Sequence, residues 1–380
     1  MGRKLAARVR RLNERLANSL IFYHPDRASD DKLLTGAGMS KRPTVSDLAN
    51  AAGVSVATVD RVLNQRHPVR EGTADRVLRA AEAIGYHATS LLKQRLRADA
   101  PQRTLGFLLQ KRDAFYQLLA EDLQAATRNL TSIRGKAIVE FVSELSPATI
   151  AERLRHLGEQ SDAVAIVSVD HPYVSQAIAV LRARGVPCFA MLSDLTAETR
   201  AGYIGRDNRK EGRTAAWMIA RTAKRPGKVG IIVGSHRYLC QETAEISFRA
   251  YFREHASDFH VLEPLTNLED ARIAHMATQN LMAANPDLVG LYICGGGMEG
   301  VVSAAREQGA HDPVVFICNE LTPKARAGLI DGVLTAVIAT PTAQLAAKTL
   351  EAMARAIETP SSDPPAQFLV PFDLYLSTNI

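Results

Sequence analysis

The 380-residue sequence lacks the features of secreted and membrane-spanning proteins. Its four cysteines show neither CxxC spacing nor cysteine/histidine ligand spacing, so neither a disulfide framework nor a zinc site is indicated. No uncharged apolar run reaches the roughly 18 to 20 residues that a membrane-spanning helix needs. These absences predict a soluble protein of the reducing cytoplasm that does not span a membrane.

The motifs of common enzyme classes are also missing. We find no Ser/His/Asp set, no HExxH motif and no P-loop lysine motif, and the ten histidines are scattered. No enzyme, metal site or cofactor is therefore predicted. The composition of 46% apolar residues, 23% charged residues and 24 glycines supports large cores and excludes disordered, collagen-like and coiled-coil proteins. The length favours two or three folding units.

Positive charge is concentrated at the amino-terminal end of the chain. Residues 1–40 carry 8 Lys and Arg against 4 Asp and Glu, and residues 41–97 carry 10 against 5. The remainder carries 28 against 31. This asymmetry favours contact with a polyanion, which could be nucleic acid or an anionic membrane surface. Charge alone does not distinguish these partners.

Residues 1–40 differ in pattern from the rest of the chain. Apolar residues recur there at helical spacing among basic residues, at Leu5, Val9, Leu12 and Leu16. This spacing predicts a short basic amphipathic helix, and a transit peptide or an extra nucleic-acid-binding arm also fits. Because Met39 immediately precedes the patterned sequence, we interpret residues 1–40 as a disordered extension or as a segment upstream of the true translation start.

Three short helices are predicted between Thr44 and Ile84. Thr44 and Asp47 form a capping-box pattern, Gly53 ends the first helix, and Ser55 caps the second. Their inward positions are Val45, Leu48, Ala49, Ala52, Val59, Val62, Leu63, Val77, Leu78, Ala81 and Ile84. Helices this short must pack together, and two of them joined by a tight glycine-containing turn form a helix-turn-helix unit.

From Arg103 onwards, apolar strands alternate with helices. The predicted strands are Leu105–Leu109, Ala137–Val142, Val164–Val169, Pro187–Leu192, Val229–Val233, His260–Leu262, Val289–Cys294, Val314–Cys318 and Leu334–Ile338. This alternation requires parallel sheets that are covered by helices on both faces. The region is long enough for two doubly wound lobes with a ligand cleft at the carboxyl ends of their strands.

The stretch from Thr44 to Asn64, TVSDLANAAGVSVATVDRVLN, together with Gly85 and Tyr86, closely resembles the DNA-reading headpiece of the lactose-repressor (LacI) family. The region behind it resembles the type I periplasmic-binding-like effector domain of that family. The implied fold is an all-α helix-turn-helix headpiece followed by an α/β region of two doubly wound lobes. The implied domains are the headpiece over 41–87, a hinge over 88–102 and an effector domain over 103–380, with lobes at 103–205 plus 342–368 and at 206–341 plus 369–380.

The second helix is predicted to enter the major groove of DNA, because residues near its start then reach base edges. Arg61 can bond guanine O6 and N7, and Val56 or Ala57 can contact a thymine methyl; the resemblance implies that these three are base readers. The predicted DNA contacts are Thr44, Ser55, Val56, Ala57, Thr58, Asp60, Arg61, Asn64, Arg95 and Leu96. Asp60 departs from the serine common in the family, and its role stays open between accepting from cytosine N4 and orienting Arg61.

The hinge departs from the family pattern. Relatives order a hinge helix on operator DNA and push a leucine into the minor groove, whereas here Arg95 stands at the wedge position and Leu96 follows it. An arginine favours a narrow minor groove without separating the bases. The resemblance therefore does not establish that this protein kinks its operator.

Resemblance also implies positions in the effector cleft. Phe115 and Tyr116 match an aromatic pair that holds a sugar ring in related ribose-binding proteins, although core packing explains them equally well. Asp194 matches a region that donates hydroxyl-binding carboxylates, although it could simply cap a turn, and Asn319 with Glu320 matches another such region.

Several expected ligand-binding residues are replaced. An arginine of relatives falls at Ala244, a glutamine falls at Thr340, and Met298 stands where a polar residue is common. These changes predict a more apolar pocket, with Arg237 as a substitute for the lost arginine. The full set of predicted effector contacts is Phe115, Tyr116, Asp194, Arg237, Met298, Asn319, Glu320 and Thr340.

Two alternatives to the family function stay open at this level. Gly295, Gly297 and Gly300, followed by Glu320, imitate the GxGxxG fingerprint of an NAD-binding oxidoreductase. A solute-binding receptor would use the two-lobed region alone.

The main prediction is a cytoplasmic, sequence-specific DNA-binding transcriptional regulator, acting as a repressor, whose operator affinity is controlled by a sugar or a related metabolite. Its expected partners are double-stranded operator DNA, the effector and a second copy of the chain, and no membrane. The second copy is expected because two headpieces on two half-sites multiply the affinity.

Overall fold

The computed structural model describes residues 42–64, 71–110, 113–143, 146–307, 314–359 and 364–380. The predicted extension over residues 1–40 lies outside these ranges. Within them, none of the helices combines the length and the apolar character required to cross a bilayer.

The amino-terminal part of the described chain consists of four helices. They are α1 Val45–Ala52, α2 Val56–Asn64, α3 Glu71–Ala83 and α4 Thr89–Asp99. The predicted capping box is present at the start of α1: the Asp47 amide donates to Thr44 Oγ1 at 3.3 Å, and the Thr44 amide donates to the Asp47 carboxylate at 2.8 Å. Gly53 ends α1 with φ 61°, a left-handed conformation that glycine adopts without a Cβ penalty.

The core of this helical unit comes from the predicted inward faces. Leu48, Val59 and Val77 are fully buried, and Val62 is almost so. Leu92, from the segment predicted as a hinge, is 1% exposed and belongs to the same cluster. The unit therefore has four helices around one core. The fourth falls on the segment matched to the family's hinge helix, and its packing into this core was not predicted.

The chain then builds a first group of alternating elements. These are β1 Gln102–Gln110, α5 Ala114–Asn129, β2 Arg134–Val142, α6 Pro147–Glu159, β3 Ala163–Ile166, α7 Pro172–Ala183, β4 Cys188–Met191 and β5 Gly202–Gly205. A second group follows. It contains α8 Asn208–Thr222, β6 Lys228–Val233, α9 Leu239–His255, β7 His260–Val261, β8 Leu265–Thr266, α10 Ala271–Ala284, β9 Leu288–Cys294, α11 Met298–Glu307, β10 Val315–Asn319, α12 Pro323–Ile330 and β11 Ala336–Ala339.

The last elements return to both groups. They are α13 Thr342–Glu358, β12 Ala366–Leu369 and β13 Asp373–Tyr375. The first sheet, which defines lobe 1, is parallel throughout, with strand order β12-β5-β4-β3-β1-β2. The second sheet, which defines lobe 2, has the order β13-β11-β10-β9-β6-β7, with β8 also paired to β6 and β13 antiparallel to β11. The chain thus passes between the lobes after β5, after β11 and after β12.

This architecture confirms the predicted fold class. The central strands are apolar and buried on both faces, as β3 and β9 illustrate, because helices cover both sides of each sheet. The short strands β5, β8, β12 and β13 were not predicted. They have only two to four residues each, which is too short for a clear apolar run, and β12 and β13 also lie at sheet edges with exposed or half-exposed side chains.

Candidate functional site

The first candidate surface is the outer face of α2. Val59 and Val62 anchor its inner side, and the Ser55 hydroxyl accepts from the Thr58 amide at 3.2 Å, which satisfies one free donor at the helix start. The opposite side exposes Val56, which keeps 49% of its surface accessible. The burial pattern therefore presents the predicted base-reading side to solvent.

Arg61 lies on this exposed side and is held by its own helix. Its Nε donates to the Ala57 carbonyl at 3.2 Å. Asp60 accepts from Asn64 Nδ2 at 2.7 Å, one turn further on. Of the two open roles for Asp60, the structure thus shows no orienting contact with Arg61, and its carboxylate is engaged with Asn64.

The other predicted DNA contacts occupy distinct places. Thr44 is engaged in the capping box, and Leu96 packs against the core of the helical unit. The Arg95 guanidinium donates to the backbone carbonyl of Leu63, at the end of α2. Contact of these residues with DNA stays a prediction.

The second candidate site is a cavity of about 220 Å³ between the two lobes. The carboxyl ends of strands from both sheets border it, as predicted for doubly wound lobes. Its polar and aromatic lining residues are Gln110, Asp113, Phe115, Tyr116, Ser193, Arg206, Glu211, Tyr238, Gln241, Glu269, Glu299, Asn319, Glu320 and Thr322. Cys240 and Cys294 also border it, and burial raises the pKa of the Cys240 thiol to about 12, so this thiol stays protonated.

Negative groups dominate this lining. Among the residues that the structure describes, it contains five carboxylates, those of Asp113, Glu211, Glu269, Glu299 and Glu320, and one cationic side chain, that of Arg206. This described part of the lining therefore carries an excess of negative charge, which opposes binding of an anionic ligand.

Arg206 occupies the first passage between the lobes, directly after β5. Its Nη2 lies 3.1 Å from Glu211 Oε2 and 3.4 Å from Glu320 Oε1, and its Nη1 donates to the Ile338 carbonyl at 3.3 Å. Burial by itself would lower the pKa of Arg206, but the two carboxylates outweigh it and raise that pKa above its ordinary value. The arginine is therefore permanently charged and already paired within the protein.

The partners of Arg206 are held by further bonds. Glu211 Oε1 accepts from the Tyr292 hydroxyl at 2.8 Å and from Asn319 Nδ2 at 2.6 Å. The Glu320 carboxylate accepts from the Thr340 amide at 2.8 Å and from its hydroxyl at 2.7 Å. Burial raises the pKa of Glu320, against the opposing effect of Arg206. A rigid, hydrogen-bonded network thus forms the floor of the cavity.

A second polar network surrounds Glu269. Its Oε1 accepts from Gln241 Nε2 at 2.7 Å, and its Oε2 accepts from the Gly296 amide at 2.6 Å. Glu269 and Glu320 adopt left-handed backbone conformations, with φ of 60° and 65°. Such conformations cost about 1–3 kcal/mol in residues other than glycine and concentrate at functional sites. Two carboxylates of the cavity are therefore held in place against a backbone cost.

The glycine run after β9 is explained by this second network. A Cβ at Gly296 would overlap the Glu269 carboxylate, and one at Gly297 would meet Asn267 Nδ2 at 2.6 Å. A Cβ at Gly300 would overlap the Ala271 carbonyl, where α10 and α11 approach closely. In addition, the Gly296 amide that would face a pyrophosphate in a dinucleotide site already donates to Glu269. The interpretation of these glycines as an NAD fingerprint is thus not supported, because internal packing requires them.

The segment Arg237–Cys240 of lobe 2 bonds directly to lobe 1. Gln110 Nε2 donates to the Tyr238 hydroxyl at 2.5 Å, and the Asp170 amide donates to the Arg237 carbonyl at 2.7 Å. Tyr238 is 2% exposed and packs among apolar residues of lobe 1. The two lobes are therefore joined across the cavity by protein contacts as well as by the three passages.

We expect Tyr238→Phe to shift the lobes towards a more open arrangement. The change leaves the buried Gln110 amide without its acceptor, which costs about 1–3 kcal/mol in the closed arrangement only. Small-angle X-ray scattering should show a larger radius of gyration for this variant. Tyr173→Phe, at a tyrosine that is 55% exposed on α7, is the matched control and should change nothing. An unchanged radius for Tyr238→Phe would mean that this bond does not hold the lobes together.

Five of the eight predicted effector residues line the cavity. Phe115 and Tyr116 do so with their rings edge to face at 5.2 Å between centroids, and Met298, Asn319 and Glu320 border the opposite side. Their contact with an effector stays a prediction.

The other three predicted effector residues lie elsewhere. Asp194 forms an ion pair with Arg200, at 2.8 Å between Oδ1 and Nε, and supports a loop while its neighbour Ser193 faces the cavity. Arg237 has an exposed side chain and is not among the residues that line the cavity, and its role as a substitute for the arginine of relatives stays a prediction. Thr340 acts on the site indirectly, by holding Glu320.

Sequence reasoning missed several residues at the centre of the site. Arg206, Glu211 and Glu269 were not predicted, and neither were Gln241 and Tyr238. One signal was available: Arg206 follows the apolar stretch Gly202–Gly205 directly, so it stands at the carboxyl end of a strand. The partners of Glu269 are distant in sequence, and no local pattern indicates them.

Each of the two candidate sites lies in a part of the chain that matches a known family model. Residues 44–89 match the family model described as bacterial regulatory proteins, lacI family, and residues 106–360 match the periplasmic binding protein domain model. An HTH-type transcriptional regulator in the aml 5' region of Streptomyces limosus is 28% identical over 287 residues, which span 71% of this chain and 76% of that protein. The HTH-type transcriptional regulator RegA of Clostridium saccharobutylicum is 36% identical over 121 residues, or 31% of this chain and 34% of its own length.

Solved structures share the fold of the two-lobed region. A solute-binding protein of an ABC transporter from Agrobacterium vitis, bound with alpha-D-tagatopyranose, superposes with a TM-score of 0.66 at 19% identity, covering 73% of this chain and 96% of that one. A putative LacI transcriptional regulator from Bacteroides fragilis gives a TM-score of 0.63 at 18% identity, covering 73% and 98%.

Proposed function

The chain belongs to the lacI family of bacterial regulatory proteins, and we propose that it is a repressor controlled by a small, uncharged polyhydroxy effector that binds between its lobes. It is a DNA-binding transcriptional regulator with an effector domain. The observation that carries the proposal is the cavity itself, which is lined by fixed hydrogen-bonding groups in the same chain that exposes Arg61 on α2.

The chemistry of the cavity supports an uncharged effector. Among the described lining residues, five carboxylates accompany one arginine, which is already paired, and carboxylates are good acceptors for sugar hydroxyls. The Gly296 amide, two residues before α11 begins, donates to Glu269 and is not free for a ligand. Phe115 and Tyr116 supply an apolar face on which a sugar ring can pack. The tagatose-bound relative in fold is consistent with this class.

We infer that the protein acts as a homodimer in the cytoplasm, on double-stranded operator DNA with two half-sites. One α2 helix offers few base-reading side chains, and a second headpiece binds at a high effective concentration once the first is bound. The effector then acts by linkage. It binds one arrangement of the lobes more tightly than the other, and this difference in binding free energy sets how far it can change the operator affinity.

A thermal-shift screen tests the effector class. We expect a neutral monosaccharide to raise the melting temperature, because a ligand at 100 times its dissociation constant stabilises the folded state by about 2.7 kcal/mol. The phosphate ester of that sugar should give a much smaller shift. Phe115→Ala should abolish the response, whereas Tyr173→Ala, on the exposed surface of α7, should retain it. Tighter binding of the phosphate ester would contradict the proposal.

A gel-shift assay with inverted-repeat DNA tests the second part. The protein should bind one duplex in preference to a scrambled one, and the screened effector should change that affinity. Binding that ignores both the sequence and the effector would contradict regulation of this kind.

A further inference from the structure

The fourth helix of the amino-terminal unit carries contacts that the proposed function does not use. Helix α4 follows the three-helix pattern and is joined to the effector domain through β1. Leu92 inserts into the helical core with 1% exposure, and the Thr89 hydroxyl donates to the Tyr86 carbonyl at 2.6 Å. Protein contacts alone therefore seat this connecting helix on the helix-turn-helix unit.

One of these contacts reaches the base-reading helix directly. The Arg95 guanidinium, on α4, donates to the carbonyl of Leu63 in the last turn of α2, 32 residues earlier in the chain. Carbonyls of a last helical turn have no partner within the helix, and the helix dipole favours a positive charge there. Arg95 thus supplies a donor and a favourable charge at the end of α2.

A second contact joins α4 to α3. Lys93 Nζ lies 2.5 Å from Glu82 Oε1, but both side chains are 44% exposed, so solvent screens this pair. The contact of Arg95 is partly buried and charge-assisted, and it is therefore the stronger constraint on the placement of α4.

We propose that Arg95 is a positioning residue, which fixes α2 relative to the connecting helix and passes movement of the effector domain to the base-reading side chains. This rests on the proposed function only in taking α2 as the reading helix. It differs from the prediction that Arg95 enters the minor groove, because its guanidinium binds the protein's own backbone. A leucine, the family's residue at this position, has no donor for the Leu63 carbonyl.

Salt dependence of operator binding separates the two roles of Arg95. In the full chain, Arg95→Ala should lower the affinity for the specific duplex about tenfold, since a charged hydrogen bond is lost. Non-specific affinity and the slope of log K against log salt should stay unchanged. Arg95→Lys, which keeps a cationic donor, should recover part of the loss, and Gln94→Ala, an exposed neighbour on α4, should have no effect. A slope that falls by about one for each Arg95 removed would show a phosphate contact and overturn the proposal.

Hydrogen exchange gives a readout that does not involve DNA. Arg95→Ala and Arg95→Leu should both speed amide exchange in the last turn of α2 in the free protein, whereas Gln94→Ala should not. If the exchange is faster but the chain binds no specific duplex, the positioning role of Arg95 is supported and the proposed function is rejected. Unchanged exchange in both Arg95 variants would overturn the positioning role of Arg95. If Arg95→Leu bends the operator more strongly without faster exchange, residue 95 inserts into the minor groove, and this result would also overturn the positioning role.

Discussion

Replacement of Arg206 by methionine is expected to destabilise the effector domain by about 3–5 kcal/mol, because it leaves buried carboxylates without their counter-ion. Glu211 is 1% exposed, and Glu320 lies in the same network, within 3.4 Å of the Arg206 guanidinium. Methionine has a similar length but supplies neither the charge nor the donor to the Ile338 carbonyl. Urea unfolding should show a lower midpoint for the variant.

The loss should depend on pH in a defined direction. Burial raises the pKa of Glu320 in the folded protein, and Arg206 opposes that rise, so removal of Arg206 raises this pKa further. A group with a raised pKa stabilises the fold most below its unfolded value of about 4.3, and this contribution disappears as the pH rises through the folded value. The deficit of Arg206→Met relative to the original protein should therefore be largest near neutral pH and shrink on acidification.

A matched control comes from an exposed ion pair. Arg184 Nη1 lies 3.2 Å from Glu159 Oε1, with both side chains more than half exposed. Arg184→Met should cost less than about 1 kcal/mol and show little dependence on pH. Equal losses for Arg206→Met and Arg184→Met would mean that the buried network contributes no more to stability than an exposed ion pair does.

Replacement of Arg61 by alanine is expected to remove about 1–3 kcal/mol of discrimination between the operator and other duplexes. The side chain is exposed on the outer face of α2 and is oriented by the Ala57 carbonyl, so its remaining donors can reach a guanine edge. Non-specific binding should persist and remain salt-sensitive, since other basic side chains contribute to it.

Competition gel shifts with specific and scrambled duplexes measure this loss. Arg184→Met is a charge-matched control, because it removes one arginine from the effector domain and should leave discrimination unchanged. An equal fall of affinity for all duplexes in Arg61→Ala would show that Arg61 contacts phosphate rather than a base.

The helix-turn-helix unit was largely predictable because its determinants are local. The Thr44 and Asp47 capping box and the glycine stop at Gly53 each depend on residues within a few positions of one another. The apolar spacing likewise indicated Val59 and Val62 as the buried side of α2. The seating of α4 was missed, since the contact of Arg95 joins residues that are 32 positions apart.

The effector site was predictable in location and only partly in composition. Alternating strands and helices place a cleft at the carboxyl ends of the strands, and the family resemblance indicated Phe115 and Asn319. The same reasoning selected Arg237, whose side chain lies outside the lining, and it overlooked Arg206. A motif match does not reveal whether a residue is already engaged by another part of the chain.

By itself, the sequence determined the helix-turn-helix unit, the doubly wound lobes and the side of α2 that faces solvent, because periodicity and capping act over short stretches of chain. Only the tertiary structure decided the character of the cavity. The Glu211 carboxylate accepts a hydrogen bond from Asn319, 108 positions away in the sequence, and the Glu269 carboxylate accepts one from the Gly296 amide, 27 positions away. Pairing over such separations depends on strand order and lobe packing, which bring distant carboxylates and donors together only once the chain has folded.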